Sequence, residues 1–334
     1  MKRFIAFALV LAAAILLALS ASASAQEKPA AAAPQLRRDI EECRKLEGKP
    51  GEIECYRELS SRQARPGSIA DEWWLNQASL PSAHLVPYRP TYLIVRATDN
   101  INQQPTRVAE PQGFQATELK MVISFRGEFV APRQFPGENR FRLWYAYTQQ
   151  SNWQWLNDEL SRPLRDSYYE PEIILTYDSR AERDKDAPSL RPAMANLGIV
   201  HQSNGRAEPE SRTWWRTYLQ LGWQLEAGSL LARVWRTWQE SGMETDNPDI
   251  NSYMGRGDLM FRTRNGEWGG LNVLLRSNLR TNPHRGFAQF DWRLPWKPFN
   301  IPWHLQLTSG YGETMLDYNH KQTTFGVGFS FWDW

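Results

Sequence analysis

Phe325-Gly326-Val327-Gly328-Phe329-Ser330-Phe331-Trp332, close to the C-terminus, decides the fold. Phe325, Val327, Phe329 and Phe331 fall on one side of an extended chain, and Gly326, Gly328 and Ser330 on the other. A period of two is the signature of a strand. One face is broad and aromatic and the other nearly bare, and the chain then ends on Trp334.

The same alternation continues upstream. Leu219, Leu221, Trp223 and Leu225 oppose Gln220, Gly222 and Gln224; Ala195, Leu197 and Ile199 oppose Asn196 and Gly198. Phe141, Leu143, Tyr145 and Tyr147 oppose Arg140, Arg142, Ala146 and Thr148, with Trp144 out of place on the polar side. About twelve such segments follow one another, near 92–98, 118–127, 138–150, 168–178, 194–203, 212–226, 229–239, 252–264, 267–280, 286–295, 302–311 and 322–332, separated by Gly, Pro, Asn and Asp. An even number of long antiparallel strands predicts a transmembrane β-barrel, and the aromatic ending is similar to the C-terminal strand signal of bacterial barrels. A soluble β-sandwich would have shorter strands and less reason to be aromatic at both ends. Sixteen Trp, 12 Tyr and 14 Phe are enough to furnish the two girdles that flank a barrel's lipid band.

The N-terminus agrees with export. Lys2 and Arg3 precede an apolar run from Phe4 to about Leu19, and Ala23-Ser24-Ala25 offers a cleavage site before Gln26. Residues 1–25 therefore read as a signal peptide rather than a membrane anchor, the run being short for a span. Residues 26–85 form an N-terminal periplasmic extension, Ala/Pro-rich at first and then charged, with a short helical hairpin expected over 38–63; the barrel occupies 86–334. In an oxidising compartment Cys43 and Cys55 are expected to pair. A net charge of +2 gives no ground for a nucleic-acid partner.

One stretch departs from barrel routine: His201-Gln202-Ser203-Asn204-Gly205-Arg206, followed by Pro209, Ser211-Arg212 and Trp214. His201 and Ser203 are two apart, so they share a face, and parity makes it the face of Leu197 and Ile199 that meets lipid. Polar groups there are costly unless they lie at the interface or do something. A His beside a Ser can serve as base to a nucleophile. Taken alone, the pair equally fits two interfacial side chains solvated by headgroup water.

The surrounding motifs extend the reading. Tyr147-Thr148-Gln149-Gln150-Ser151, Trp153-Gln154, Tyr169-Glu170-Pro171, the stretch His201 to Arg216, Asp246-Asn247-Pro248-Asp249-Ile250, Tyr253-Met254-Gly255, Gly310-Tyr311-Gly312-Glu313 and Asp317-Tyr318-Asn319 are collinear. In these, from about Pro87 to the C-terminus, the chain resembles the outer membrane phospholipase A family. The resemblance implies a twelve-stranded barrel in the bacterial outer membrane with its site on the outer surface near the outer leaflet. It implies hydrolysis of phospholipid acyl esters by a calcium-bound homodimer. Ser203 matches the nucleophile, His201 its base and Gly205 an oxyanion donor, aided by a calcium-polarised water. Arg206 by its carbonyl and Ser211 by its hydroxyl match calcium ligands of one subunit, Ser161 matches a ligand from the other, and Gln149 matches a polar dimer-interface residue. Oxygen donors of this kind suit Ca²⁺.

One position departs from the family. The residue that should orient the histidine is an asparagine between Trp and Arg; here the slot reads Trp214-Trp215-Arg216. Indole has no acceptor, so Trp215 can wall the imidazole but cannot orient it by a hydrogen bond. The expectation is a dyad whose spare N–H finds water, a carbonyl or a hydroxyl such as Thr213. The alternatives are an impaired or inactive descendant of the enzyme and a porin-like barrel, the latter poorly served by a lumen full of Arg, Gln and Glu.

Overall fold

The computed structural model describes residues 41–46, 51, 55, 69–73, 75, 85–105, 110–129, 140–160, 164–179, 191–238, 247–263, 266, 268–296 and 301–332. The expected signal peptide and the Ala/Pro-rich segment lie outside them, as do Ser161 and most of the expected hairpin, of which residues 41–44 are helical. The chain divides into two units, Met1–Pro66 and Gly67–Trp334. Within the first, Cys43 and Cys55 form the expected disulfide, with Cα atoms 5.5 Å apart.

The second unit is a closed antiparallel barrel. Its strands are β2 (Thr91–Thr98), β3 (Thr117–Glu128), β4 (Phe141–Trp153), β5 (Leu164–Asp178), β6 (Met194–Ser203), β7 (Thr213–Gln224), β8 (Gly228–Trp238), β9 (Gly257–Thr263), β10 (Gly270–Ser277), β11 (Gly286–Arg293), β12 (Trp303–Tyr311) and β13 (Lys321–Trp332). Each pairs with its sequence neighbour, and β13 closes on β2. An extra strand, β1 (Leu85–Pro87), adds to β3 beyond the end of β2. The twelve expected strands are all present. The one expected from 252 starts at Gly257, because α2 (Ile250–Tyr253) precedes it and buries Ile250 and Met254 together.

Alternation sorts the side chains as the sequence predicts. Leu197, Ile199, Leu219, Ile173, Val234 and Leu259 point outward and are exposed, forming an aliphatic band. Trp153, Trp155, Trp215 and Trp238 are exposed near one rim of that band, and Trp268, Trp296 and Phe331 near the other. These are the two girdles.

The lumen is filled rather than open. Arg96 pairs with Glu118 at 2.6 Å and with Glu313, while Arg165 bridges Glu118 and Asp317. Arg89 spans Glu170 and Glu172 at 2.7 and 2.6 Å, and Arg233 meets Asp258 at 2.6 Å. Buried charge on this scale is tolerable only when paired. Among the described residues, a pocket of about 90 Å³ lies between these pairs, lined in part by Arg89, Glu170, Arg216 and Arg276.

Near the opposite rim the lumen turns apolar. Helix α1 (Ile69–Glu72) places Ile69 and Trp73 one turn apart against Trp144, Ile174, Met194 and Leu231. The Arg126 guanidinium lies 4.1 Å from the Trp73 ring. Trp144, anomalous in the alternation, is therefore an inward residue whose partner is this plug.

Candidate functional site

His201 and Ser203 end β6, and Thr213 opens β7. The register pairs His201 with Trp215 and Ser203 with Thr213, so all four side chains stand on the outer face, at the girdle above Leu197 and Leu219. Between them, Gln202, Asn204, Arg212 and Trp214 point inward and are buried. The sequence parity argument for this face holds.

The connecting loop is pinned from beneath. The Asn204 side-chain oxygen accepts from Arg212 N at 2.9 Å and Arg206 N at 3.4 Å, and its amide donates to Glu210 O at 2.8 Å. The Arg206 guanidinium pairs with Glu210 and donates to the carbonyls of Leu164 and Arg165 at 2.8 and 2.7 Å, which ties the loop to the start of β5. Sequence reasoning missed this role of Asn204 and of the Arg206 side chain. The available signal was parity: a residue between outward Ser203 and the Gly205 turn must face in, and a buried amide needs partners.

Gly205 sits at φ 63° and is exposed, a conformation that glycine adopts without steric cost. Its N–H donates to Ser203 Oγ at 3.2 Å. His201 Nε2 lies 3.0 Å from Thr213 Oγ1. Its ring packs on Trp215, centroids 4.5 Å apart and planes 31° from parallel. The structure thus brings His201, Ser203 and Gly205 together but does not hydrogen-bond the histidine to the serine. With a proton on Nε2, Thr213 accepts it and Nδ1 keeps the lone pair a base requires. Thr213 thus offers the ring an acceptor that the indole of Trp215 lacks, while Trp215 packs against it.

Of the expected calcium donors, Arg206 and Ser211 lie on opposite arms of the pinned loop, both partly exposed, and Ser161 lies outside the described residues. A backbone carbonyl and a hydroxyl are hard oxygen donors and fit Ca²⁺, but two are far short of the six to eight it takes. The remainder would have to come from water and a second chain. Gln149 faces outward as expected: it accepts from Tyr147 OH at 3.0 Å and donates to Ser151 Oγ at 3.2 Å, and Ser167 donates to Ser151 at 2.7 Å. This gives the outer wall a short polar ladder beside β6.

Comparison with known proteins places the architecture. The sequence model of a family described as Phospholipase A1 matches residues 70–331, starting within α1. A putative phospholipase A1 of Neisseria meningitidis serogroup B is 37% identical over 279 residues, 82% of this chain and 66% of that protein, just under two thirds of its length. The phospholipase A1 of Escherichia coli strain K12 is 32% identical over 246 residues, covering 73% of this chain and 80% of that one. The crystal structure of the Salmonella typhi outer membrane phospholipase, a dimer with bound calcium, superposes with a TM-score of 0.66 at 28% identity, over 81% of this chain and 99% of that one. Matching family and closed twelve-stranded barrel agree, and the chain belongs to the phospholipase A1 family of outer-membrane β-barrels.

Proposed function

We propose that this protein hydrolyses the acyl esters of phospholipids at the outer-leaflet interface, using Ser203 as nucleophile and His201 as base, in a calcium-dependent homodimer. The observation that carries the reading is the outward placement of His201, Ser203 and the Gly205 N–H together at an aromatic girdle, where a lipid ester in the membrane can reach them without leaving it.

The Ser203 hydroxyl attacks the ester carbonyl and its proton passes to His201. The two side chains stand two residues apart on the same face of β6, and catalytic contacts are often loose before substrate binds. The Gly205 N–H, which donates to Ser203 Oγ before substrate binds, would turn to the neighbouring oxyanion as it forms. The alcohol leaves with the proton from His201, and water cleaves the acyl-enzyme by the reverse sequence. Calcium held by the Arg206 carbonyl, the Ser211 hydroxyl and Ser161 of a second copy would supply positive charge beside the oxyanion. Because its donors come from two chains, assembly and activity are coupled. Residues 1–25 are read as removed on export and 26–85 as an extension on the periplasmic side, of which Ile69 and Trp73 reach into the barrel lumen.

Fatty-acid release from phospholipid in detergent micelles, with calcium or with a chelator, is the direct test. Release is expected only with calcium, together with a crosslinkable dimer. Ser211→Ala should raise the calcium needed for half-maximal dimer about tenfold, a loss of roughly 1.4 kcal/mol in calcium-coupled assembly. Equal monomer fractions at every calcium level would remove the metal assignment, and with it Ser161.

A further inference from the structure

The turn that presents Ser203 occurs twice. At the end of β10, Ser277-Asn278-Leu279-Arg280 repeats Ser203-Asn204-Gly205-Arg206 in sequence at three of four positions. The hydrogen bonds repeat as well. Leu279 N donates to Ser277 Oγ at 3.1 Å, as Gly205 N does to Ser203 at 3.2 Å. The Asn278 side-chain oxygen accepts from Arg280 N at 3.2 Å and Arg285 N at 3.3 Å, as Asn204 does from Arg206 and Arg212. The Asn278 amide donates to Pro283 O at 3.0 Å, and its backbone N to Arg285 O at 3.0 Å, matching Asn204 to Glu210 O and Arg212 O.

In this second copy the histidine is in contact with the serine: His284 Nε2 lies 3.2 Å from Ser277 Oγ. Both cross-strand neighbours of Ser277 are glycines, Gly257 and Gly286. A Cβ on Gly286 would crowd the Arg276 carbonyl at 2.9 Å and one on Gly257 the Arg233 carbonyl at 3.1 Å, so the glycines let the strands close up beside Ser277, with the His284 ring and the Leu279 side chain in ordinary contact range at 3.6 and 3.4 Å. Leu279 holds φ 54°, the only non-glycine at positive φ among the described residues. A leucine kept in that region is a local cost that the rest of the turn must hold in place. The result is an N–H aimed at the serine oxygen. His284 and Leu279 are exposed and lie in the loop between β10 and β11, so the group is accessible at the same rim of the barrel as Ser203.

From this geometry we infer that Ser277 and His284 form a second nucleophile–base pair, which accepts acyl groups from small esters reaching the rim from water. The Ser277 oxygen bonds the ester carbonyl carbon and its proton moves to His284 Nε2. The oxyanion is held by the Leu279 N–H. The carbonyl–alkoxy bond then breaks, the alcohol departs with that proton, and water, deprotonated by His284, releases the acid and restores Ser277. The inference goes beyond the proposed lipid hydrolysis and does not depend on Ser203 being a nucleophile.

The test is active-site labelling of the full-length protein in detergent with a small sulfonyl fluoride, read by mass mapping of the modified peptide. In the Ser203→Ala variant an adduct is expected on Ser277, and His284→Gln should slow its formation at least about tenfold, a general base being worth that and more. Retained heat-modifiability on gels establishes that each variant is folded. Hydrolysis of a short-chain nitrophenyl ester by Ser203→Ala should fall to background when Ser277→Ala is added. An unmodified Ser277, or an adduct formed equally fast in His284→Gln, overturns the second pair whatever Ser203 does. Modification of Ser203 in the native chain is scored separately and speaks only to the lipid reaction.

Discussion

Ser203→Ala is expected to lower fatty-acid release from long-chain phospholipid by at least about 10³-fold while leaving the barrel folded, in line with what removal of an activated serine costs elsewhere. The argument is geometric. Ser203 lies among exposed outer-face groups, its cross-strand neighbours being Tyr169 and Thr213, and it makes no contact with the ion pairs of the lumen. Removing one oxygen there deletes a single N–H···O contact, from an exposed glycine that water can serve instead. Stability should therefore move little. Turnover should collapse, because no other hydroxyl stands at the Gly205 N–H. Ser277 stands on a separate strand pair, β10–β11, and is not expected to rescue hydrolysis of a lipid seated at Ser203. The measurement is release from mixed micelles at saturating calcium, beside the shift of the unheated band on a gel. Native-like release from a folded Ser203→Ala protein would end the nucleophile assignment.

Strand faces were legible because a period of two leaves no freedom: once Leu197 and Ile199 meet lipid, His201, Ser203 and Trp215 must too. Trp144 was legible only as an anomaly. Its explanation, the α1 plug, lies some seventy residues upstream, and nothing in a short apolar pair such as Ile69 and Trp73 says which distant strands will receive it. Helix α2 carries the same kind of pair, Ile250 and Met254, buried against Trp214 and Tyr318; one turn is too brief for periodicity to outvote the neighbouring strand pattern. The site was legible as a face but not as a set of contacts. Parity cannot choose a rotamer, so the His201–Thr213 contact was one of three options and the absent His201–Ser203 bond could not be foreseen. The twin turn at Ser277 went unread because its histidine comes from the loop instead of the strand. The metal half of the site needs two chains, and one sequence shows only one side of it.

Thr213 is where the departure from the family becomes measurable. A catalytic imidazole needs its second N–H held, so that the other nitrogen carries the lone pair and points at the nucleophile. Trp215 packs on the ring at 4.5 Å but has no acceptor, and Thr213 Oγ1 at 3.0 Å does. Thr213→Val keeps the shape and removes that acceptor. In the native background turnover is expected to fall roughly 10²-fold or somewhat more, short of the ~10⁴ seen when a triad's acceptor is replaced by a group that enforces the wrong tautomer. Trp215→Asn should restore an acceptor from the opposite residue of the β6–β7 pair and raise turnover about tenfold. The two changes should not add: with Asn at 215 the Thr213→Val loss should shrink to a few-fold, a coupling of about 2 kcal/mol in a double-mutant cycle. Calcium dependence should stay the same in all four proteins, since neither residue belongs to the loop that carries Arg206 and Ser211. A structural role for Thr213 would predict the reverse pattern, with equal losses in both backgrounds and a lowered unfolding temperature. If Trp215→Asn leaves a folded dimer no faster, and Thr213→Val costs the same with either residue at 215, then His201 is not oriented by Thr213. If the native chain is silent under every condition and only Trp215→Asn hydrolyses lipid, the tryptophan marks a descendant that has lost the activity.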